Sequence, residues 1–465
     1  MSFPSEWIVS SLGENDDDET PAAPGVSVST ETVEASKDEA PFVLPTHLFL
    51  HFDVNETILL GDDAGGDSRN ESVQKMLAKS AFCRIPAPPE GSPPWETTRK
   101  MKPTHWWDGQ EIGRETSMPP LYTGWTWPEG CCPYYRTAYK KHAKSFTEAG
   151  NHGRIYGPLL EACEASLSSS RNYSIPSRSS RDNDDGGSSS NANEHSNNQN
   201  KNTILPAFYE TLHHLVNSCD RDGANQSGDP PFTLVFRTFG SDLSEIAKVV
   251  TTFAKGEHPD YPGIDFPQLC LPADRLYQGR WKVLDGEEDE EDGARRVIYQ
   301  LWTSDESELV ASGDSEILEF LSHQTVLGIR DDYNFWKASR YIPSCGKPIW
   351  VPKYHRGGKR NDDDDDAEGA ADAEDGSAPY GHHLIFDDNI HNLPDDGIAC
   401  VRRASGDTAN GGAPVFESVD GDAMDEYQGV HLVRVPTVEP VLNPRWYIDQ
   451  IRNARTRLQH RLQSK

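Results

Sequence analysis

Short runs rich in Val, Ile, Leu and Phe recur along the chain: HLFLHFDV (47–54), FTLVFRTF (232–239), RVIYQLW (296–302), TVLGIRD (325–331), KPIWVP (347–352), HHLIFDDN (382–389) and VHLVRV (430–435). Each has the length and composition of a β-strand. Between them the apolar period becomes that of a helix. ILPAFYETLHHLVNSC (204–219) sets Leu205, Phe208, Leu212 and Leu215 on one side, and SDLSEIAKVVTTFAK (241–255) does the same with Leu243, Ile246, Val249, Val250 and Phe253, with Ser241 as its expected N-cap. A third stretch, NPRWYIDQIRNARTRLQHRLQ (443–463), aligns Tyr447, Ile451, Leu458 and Leu462 and keeps its arginines elsewhere, so it is expected to lay an apolar face on a sheet. Strands alternating with helices predict an α/β domain with a largely parallel sheet, whose sites lie at the carboxyl ends of the strands.

Several segments break this rhythm. Residues 1–43 read as a disordered acidic tail, 166–203 as a disordered Ser/Asn-rich insertion, and 285–294 and 357–379 as acidic disordered loops, because none has enough apolar surface to offset its ordering entropy. That leaves 44–67 and 204–465 as the α/β core and 68–165 as an accessory region. The chain of 465 residues is only 35% hydrophobic and carries a formal charge of −31. About 21 of its 75 acidic residues fall in three short acid runs, 14–19, 285–292 and 362–375, so much of the charge belongs to segments expected to be solvated. A charge of this sign repels phosphate backbones and anionic lipid, which disfavours nucleic acid and membrane surfaces as partners. No run approaches the length of a membrane span, no secretory leader is visible, and the eight cysteines form no Cys-x-x-Cys pair. The expectation is an intracellular, cytoplasmic protein with reduced thiols; its oligomeric state is not legible.

The most specific chemistry lies at HLFLHFDVNETILLGDD (47–63), where an apolar strand runs directly into Asp53, followed by Asn55 and Thr57. Downstream, one strand ends in Thr238, and another ends in the acidic pair Asp387 and Asp388. This order resembles the haloacid dehalogenase (HAD) superfamily of phosphotransferases, over strands scattered between about 47 and 435. The resemblance implies a Rossmann-like, HAD-like sheet with an inserted cap, here within 68–165. It also implies an Mg²⁺-dependent attack by Asp53 on a small phosphorylated molecule, forming an aspartyl phosphate. Asp53, the Asn55 main-chain carbonyl, Asp387 and Asp388 would supply the hard oxygen ligands that Mg²⁺ prefers. Thr238 and a lysine would cradle the phosphoryl oxygens.

Two lysines compete for that role. Lys347 precedes Asp387 by 40 residues in a Gly-Lys-Pro context, and Lys337 precedes it by 50. Setting aside the intervening acidic insertion brings Lys337 nearer to the family's usual spacing, whereas the local context favours Lys347. The chain departs from the family pattern at Asn55, where a phosphatase carries a second Asp that acts as general acid and base. An amide cannot exchange a proton at neutral pH, and such catalysis is worth about 10² to 10⁴-fold in rate. Capture of a phosphoryl group with slow hydrolysis is therefore one expectation, and a pseudoenzyme or binding module without turnover is the alternative. An acidic scaffold for basic proteins is a third reading.

Within the accessory region, Trp95, Trp106, Trp107, Trp125, Trp127 and a run of tyrosines stand near Arg136, Lys140 and Lys141. Such rings either stack on a ligand or form an irregular core. Cys131–Cys132, His213–His214 and His382–His383 lack the spacing of a metal site, and nothing in the sequence pairs the cysteines with a catalytic histidine.

Overall fold

The computed structural model describes residues 8–9, 45, 47–61, 67–86, 100–169, 203–221, 232–288, 295–352, 381–391, 397–405, 415–419, 421–436 and 438–464. The N-terminal tail apart from 8–9, most of the Ser/Asn-rich block and the whole of 357–379 lie outside this set.

The centre of the molecule is an eight-stranded mixed sheet. Its strands are β1 (Leu48–Asp53), β2 (Phe232–Thr238), β3 (Leu276–Glu288), β4 (Arg295–Thr303), β5 (Leu309–Ser312), β6 (Val326–Arg330), β8 (His382–Asp387) and β11 (Leu432–Arg434). They lie in the order β5-β4-β3-β6-β2-β1-β8-β11; β4 is antiparallel to both its neighbours, β3 and β5, and the six strands from β3 to β11 in this order are mutually parallel. A second sheet is formed by β7 (Lys347–Val351), β9 (Ala399–Ser405) and β10 (Val415–Val419). The expected α/β class with a largely parallel sheet is what the structure shows.

Because β1 and β8 are covered on both faces, they read as nearly continuous apolar runs. Alternate side chains divide between two cores. Leu50, Phe52, Leu234, Phe236, Leu384 and Phe386 join one cluster with the helices α1 (Arg69–Ser80), α2 (Gly157–Ser169), α3 (Pro206–Arg221), α4 (Leu243–Ala254) and α7 (Trp446–Gln463). Phe49, Val235, Leu327 and Ile329 join another with α5 (Asp314–Ser322) and with Trp350 and Cys400 of the second sheet. Burying each of these rings or branched chains stabilises the fold by roughly 1.5–3 kcal/mol. The residues 68–165 thus share their core with the sheet through Met76, Leu77, Leu159 and Cys163. Helix α7 packs as expected, with Tyr447, Ile451, Leu458 and Leu462 buried.

Two local expectations are corrected. The N-cap of α4 is Asp242 rather than Ser241, and Asp242 makes no side-chain bond to the helix amides; its carboxylate accepts a hydrogen bond from Asn55 Nδ2 at 2.8 Å instead. The acidic stretch 285–294 is not loop throughout, since β3 continues to Glu288, which pairs with Arg295 across the hairpin. Among the described residues no helix is long and apolar enough to cross a membrane.

Candidate active site

Parallel register brings the ends of β1, β2 and β8 to one edge of the sheet: Asp53 pairs with Arg237, and Phe52 with Phe386. The stacked rings of Phe52 and Phe386, 4.9 Å apart, fill one face, so the residues that follow them, Asp53 and Asp387, project from the other. Together with Asp388, these carboxylates are buried, and each offers an oxygen within 4.8 Å of the others. The second sheet covers this face and delivers Lys347, whose Nζ donates to Asp53 Oδ1 at 2.5 Å and to Asp387 Oδ2 at 2.8 Å. Arg237 ties the two layers together. It is buried, forms a two-pronged ion pair with Asp331, and donates to the Pro348 carbonyl beside Lys347.

The turn after β1 is built around a residue with positive φ, Glu56 at 58°. A non-glycine residue in this region is strained and persists where the surroundings fix it. Here Glu56 bonds Lys75 at 2.6 Å and Lys79 at 2.5 Å, both from α1. Lys79 also reaches Asp388 at 2.6 Å. Thr57 Oγ1 donates to Asp53 Oδ2 at 3.2 Å, and its carbonyl accepts from Tyr447, so α7 holds the turn from below. Thr238 Oγ1 accepts from the Gly240 amide at 2.9 Å, which leaves its hydroxyl hydrogen to donate elsewhere. Any side chain at Gly240 would collide with the Asp242 carboxylate.

Like charges and burial set the electrostatics. Burial pushes the Asp53 carboxyl well above its usual range, with Asp387 and Asp388 adding to the shift and Lys347 opposing it. Burial likewise raises Asp388, to about 6, against the pull of Lys79. Glu56 is buried too, yet Lys79 and Lys75 overcome that penalty and hold it down at about 2. Lys347 remains protonated: burial disfavours its charge, but Asp387 and Asp53 raise its pKa.

The structure therefore gathers Asp53, Asn55, Thr238, Lys347, Asp387 and Asp388 around one strand edge. Lys337 is exposed on α6 (Tyr333–Ala338), and no hydrogen bond or ion pair links it to the carboxylates. Lys79, Glu56 and Asp242 join the site without having stood out in the sequence. A signal for the first existed, because Ser68-x-x-Glu71 is a capping box that starts α1 and sets Lys75 and Lys79 on one helical face. Of the accessory aromatics, Trp106 and Tyr134 are buried core and Trp127 lines a cavity beside Asp388, while Trp95 lies outside the described residues. Cys131 and Cys132 are free, and burial pushes the Cys132 thiol up to about 12, the opposite of an activated nucleophile. The chain matches no protein-family model, no curated protein and no solved structure.

Proposed function

We propose that this protein is a HAD-like, magnesium-dependent phosphotransferase or hydrolase that acts on a small phosphorylated substrate through Asp53. The observation that carries this reading is the meeting of Asp53, Asp387 and Asp388 at one edge of contiguous parallel strands, with Lys347 between the first two and Thr238 on the next strand. The residues fit a hard divalent cation. The donor set is all oxygen, three buried carboxylates repel one another, and the buried Asn55 Oδ1 has no hydrogen-bond partner. Asp53, Asp387 and Asp388, with the Asn55 carbonyl, would hold Mg²⁺, which when bound would neutralise the charge of carboxylate and phosphate.

Asp53 attacks phosphorus, the bond to the leaving oxygen breaks, and the phosphoryl group rests on the carboxylate as a mixed anhydride. Lys347 and the Thr238 hydroxyl offer donors to the equatorial oxygens, preorganised in a site that largely excludes water. Asn55 turns its amide toward Asp242 and can donate a hydrogen bond but no proton, so breakdown of the intermediate is the slow step. The same contact favours a second reading, a HAD-like binding module that has lost turnover.

A panel of small phosphate esters with Mg²⁺, read with wild type, Asp53→Asn and Asn55→Asp, separates these. Slow wild-type turnover that is abolished by Asp53→Asn and raised by Asn55→Asp supports the enzyme. A wild type inactive on every ester, with activity gained only in Asn55→Asp, supports the binding module. Turnover that survives Asp53→Asn removes the nucleophile.

A further inference from the structure

A cavity of about 220 Å³ opens beside Asp388 and Asn389, and its charge is opposite to that of the chain. Four cationic side chains line it, Lys79, Arg136, Lys140 and Arg434, against the single carboxylate of Asp388. Lys79 is engaged by Glu56 and Asp388. Lys140 lies 4.8 Å over the Tyr135 ring, and Arg434 donates to the Gly124 carbonyl; among the described residues neither has a carboxylate at ion-pair distance. Burial pulls Arg434 down to about 10, with the charge of Asp388 opposing it. Arg136 sits 5.2 Å over Trp127. An adjoining groove shares Tyr135 and Lys140 and adds Lys75, Lys141 and Lys144.

An aromatic wall connects this cavity to the proposed nucleophile. Lys347 Nζ stands 5.1 Å from the Phe239 ring, Phe239 stacks on Trp336 at 5.1 Å, and Tyr333, 41% exposed, meets Phe239 at 5.6 Å. A phosphate held at Lys347 would therefore have a planar surface next to it and the cationic side chains of the cavity beyond.

We infer that the substrate is a nucleotide carrying a second phosphate: one phosphoryl group reacts at Asp53, the base lies along the Phe239–Trp336–Tyr333 wall, and the other phosphate is held by Arg136, Lys140 and Arg434. This rests on the phosphotransferase reading above for which phosphate reacts. The occupant is a small molecule, because the cavity of about 220 Å³ is no larger than a small-ligand site. Stacking against aromatic faces and charge-assisted bonds to a dianion are the two recognition terms.

The test measures binding rather than turnover, in the full-length Asp53→Asn protein with Mg²⁺, by tryptophan fluorescence. The probes are a nucleoside bisphosphate, adenosine monophosphate, a ribose phosphate, inorganic phosphate and a phosphorylated oligonucleotide. The bisphosphate is expected to bind about tenfold or more tighter than the monophosphate, the gain of one charge-assisted contact. The monophosphate should in turn bind tighter than the ribose phosphate. Lys140→Ala should remove the first difference and Lys140→Arg should retain it; Tyr333→Ala should remove the second. Both side chains are exposed, so these variants keep the core intact. Equal affinities across the probes, an order indifferent to Lys140 and Tyr333, or tightest binding of the oligonucleotide would overturn the inference. If the expected order appears while no ester is turned over by the wild type, the binding inference stands and the phosphotransferase reading falls.

Discussion

Strands β1 and β8 carry two groups of buried polar side chains on the same face of the sheet, and the two are handled in opposite ways. At the strand ends Asp53 and Asp387 share the ammonium of Lys347. Deeper in the same strands His51 Nε2 meets His383 Nδ1 at 3.2 Å, while His382, on the opposite face, and the neighbouring His431 are bonded to main-chain carbonyls. Burial lowers the pKa of all four histidines, so this cluster is neutral. It behaves as a polar core that has shed its charge. The carboxylates, by contrast, are surrounded by lysines brought from two other elements, α1 and β7, and still repel one another. Maintaining charge in a buried place is costly, and the investment is found at the edge where a ligand can enter.

The largest expected difference is in rate. Asp53→Asn should lower phosphoryl transfer by about 10³-fold or more, as removal of a nucleophile does. His51→Gln, two residues away, should change it only a few-fold. Equal losses in a phosphate-release assay would erase the distinction between the clusters. Next is stability. Lys347→Met strands Asp53 and Asp387 without their shared cation, and urea denaturation should show a loss of about 3–5 kcal/mol. The double variant Lys347→Met, Asp53→Asn should recover part of this.

The pH dependence of stability separates the clusters by sign. A carboxyl raised to about 6, as Asp388 is, holds its proton longer in the folded than in the unfolded chain, so it lowers stability as pH rises from about 4 to 6, by up to about 3 kcal/mol. A histidine lowered to about 4, as His431 is, holds fewer protons when folded, so stability rises with pH from about 4 to 6.5. Asp388→Asn should remove the first slope and His431→Gln the second, in unfolding midpoints measured across that window. Since Mg²⁺ competes with protons for the carboxylates, its stabilising effect should be larger at neutral pH than at pH 5. An Mg²⁺ effect that is independent of pH would place the ion elsewhere. The smallest effect is expected at the His51–His383 contact, where His51→Gln should cost about 1 kcal/mol, the net worth of one hydrogen bond.

How far the sequence disclosed this site follows from how each part is made. Strands β1, β2 and β8 are buried on both faces, so their apolar runs and the charges ending them stand out. Strands β9 and β10 were not visible: VRRAS and VFESV mix charged and apolar residues because they are partly exposed. Lys347 was one of two alternatives because it arrives from a separate sheet, and spacing along the chain does not measure that approach. Lys79 belongs to a helix inside the region read as accessory, whose apolar face joins the main core. Asp242 was hidden behind a plausible cap, Ser241, whose place in the turn it takes.

The central claim is that Asp53 receives a phosphoryl group and that Asn55 delays its release. Mass spectrometry of the intact protein after incubation with Mg²⁺ and acetyl phosphate, followed by peptide mapping, tests this directly. The account predicts a single added phosphoryl group on Asp53, labile to hydroxylamine, absent in Asp53→Asn and short-lived in Asn55→Asp. A chain that stays unmodified under these conditions, or carries the group on another residue, would contradict it.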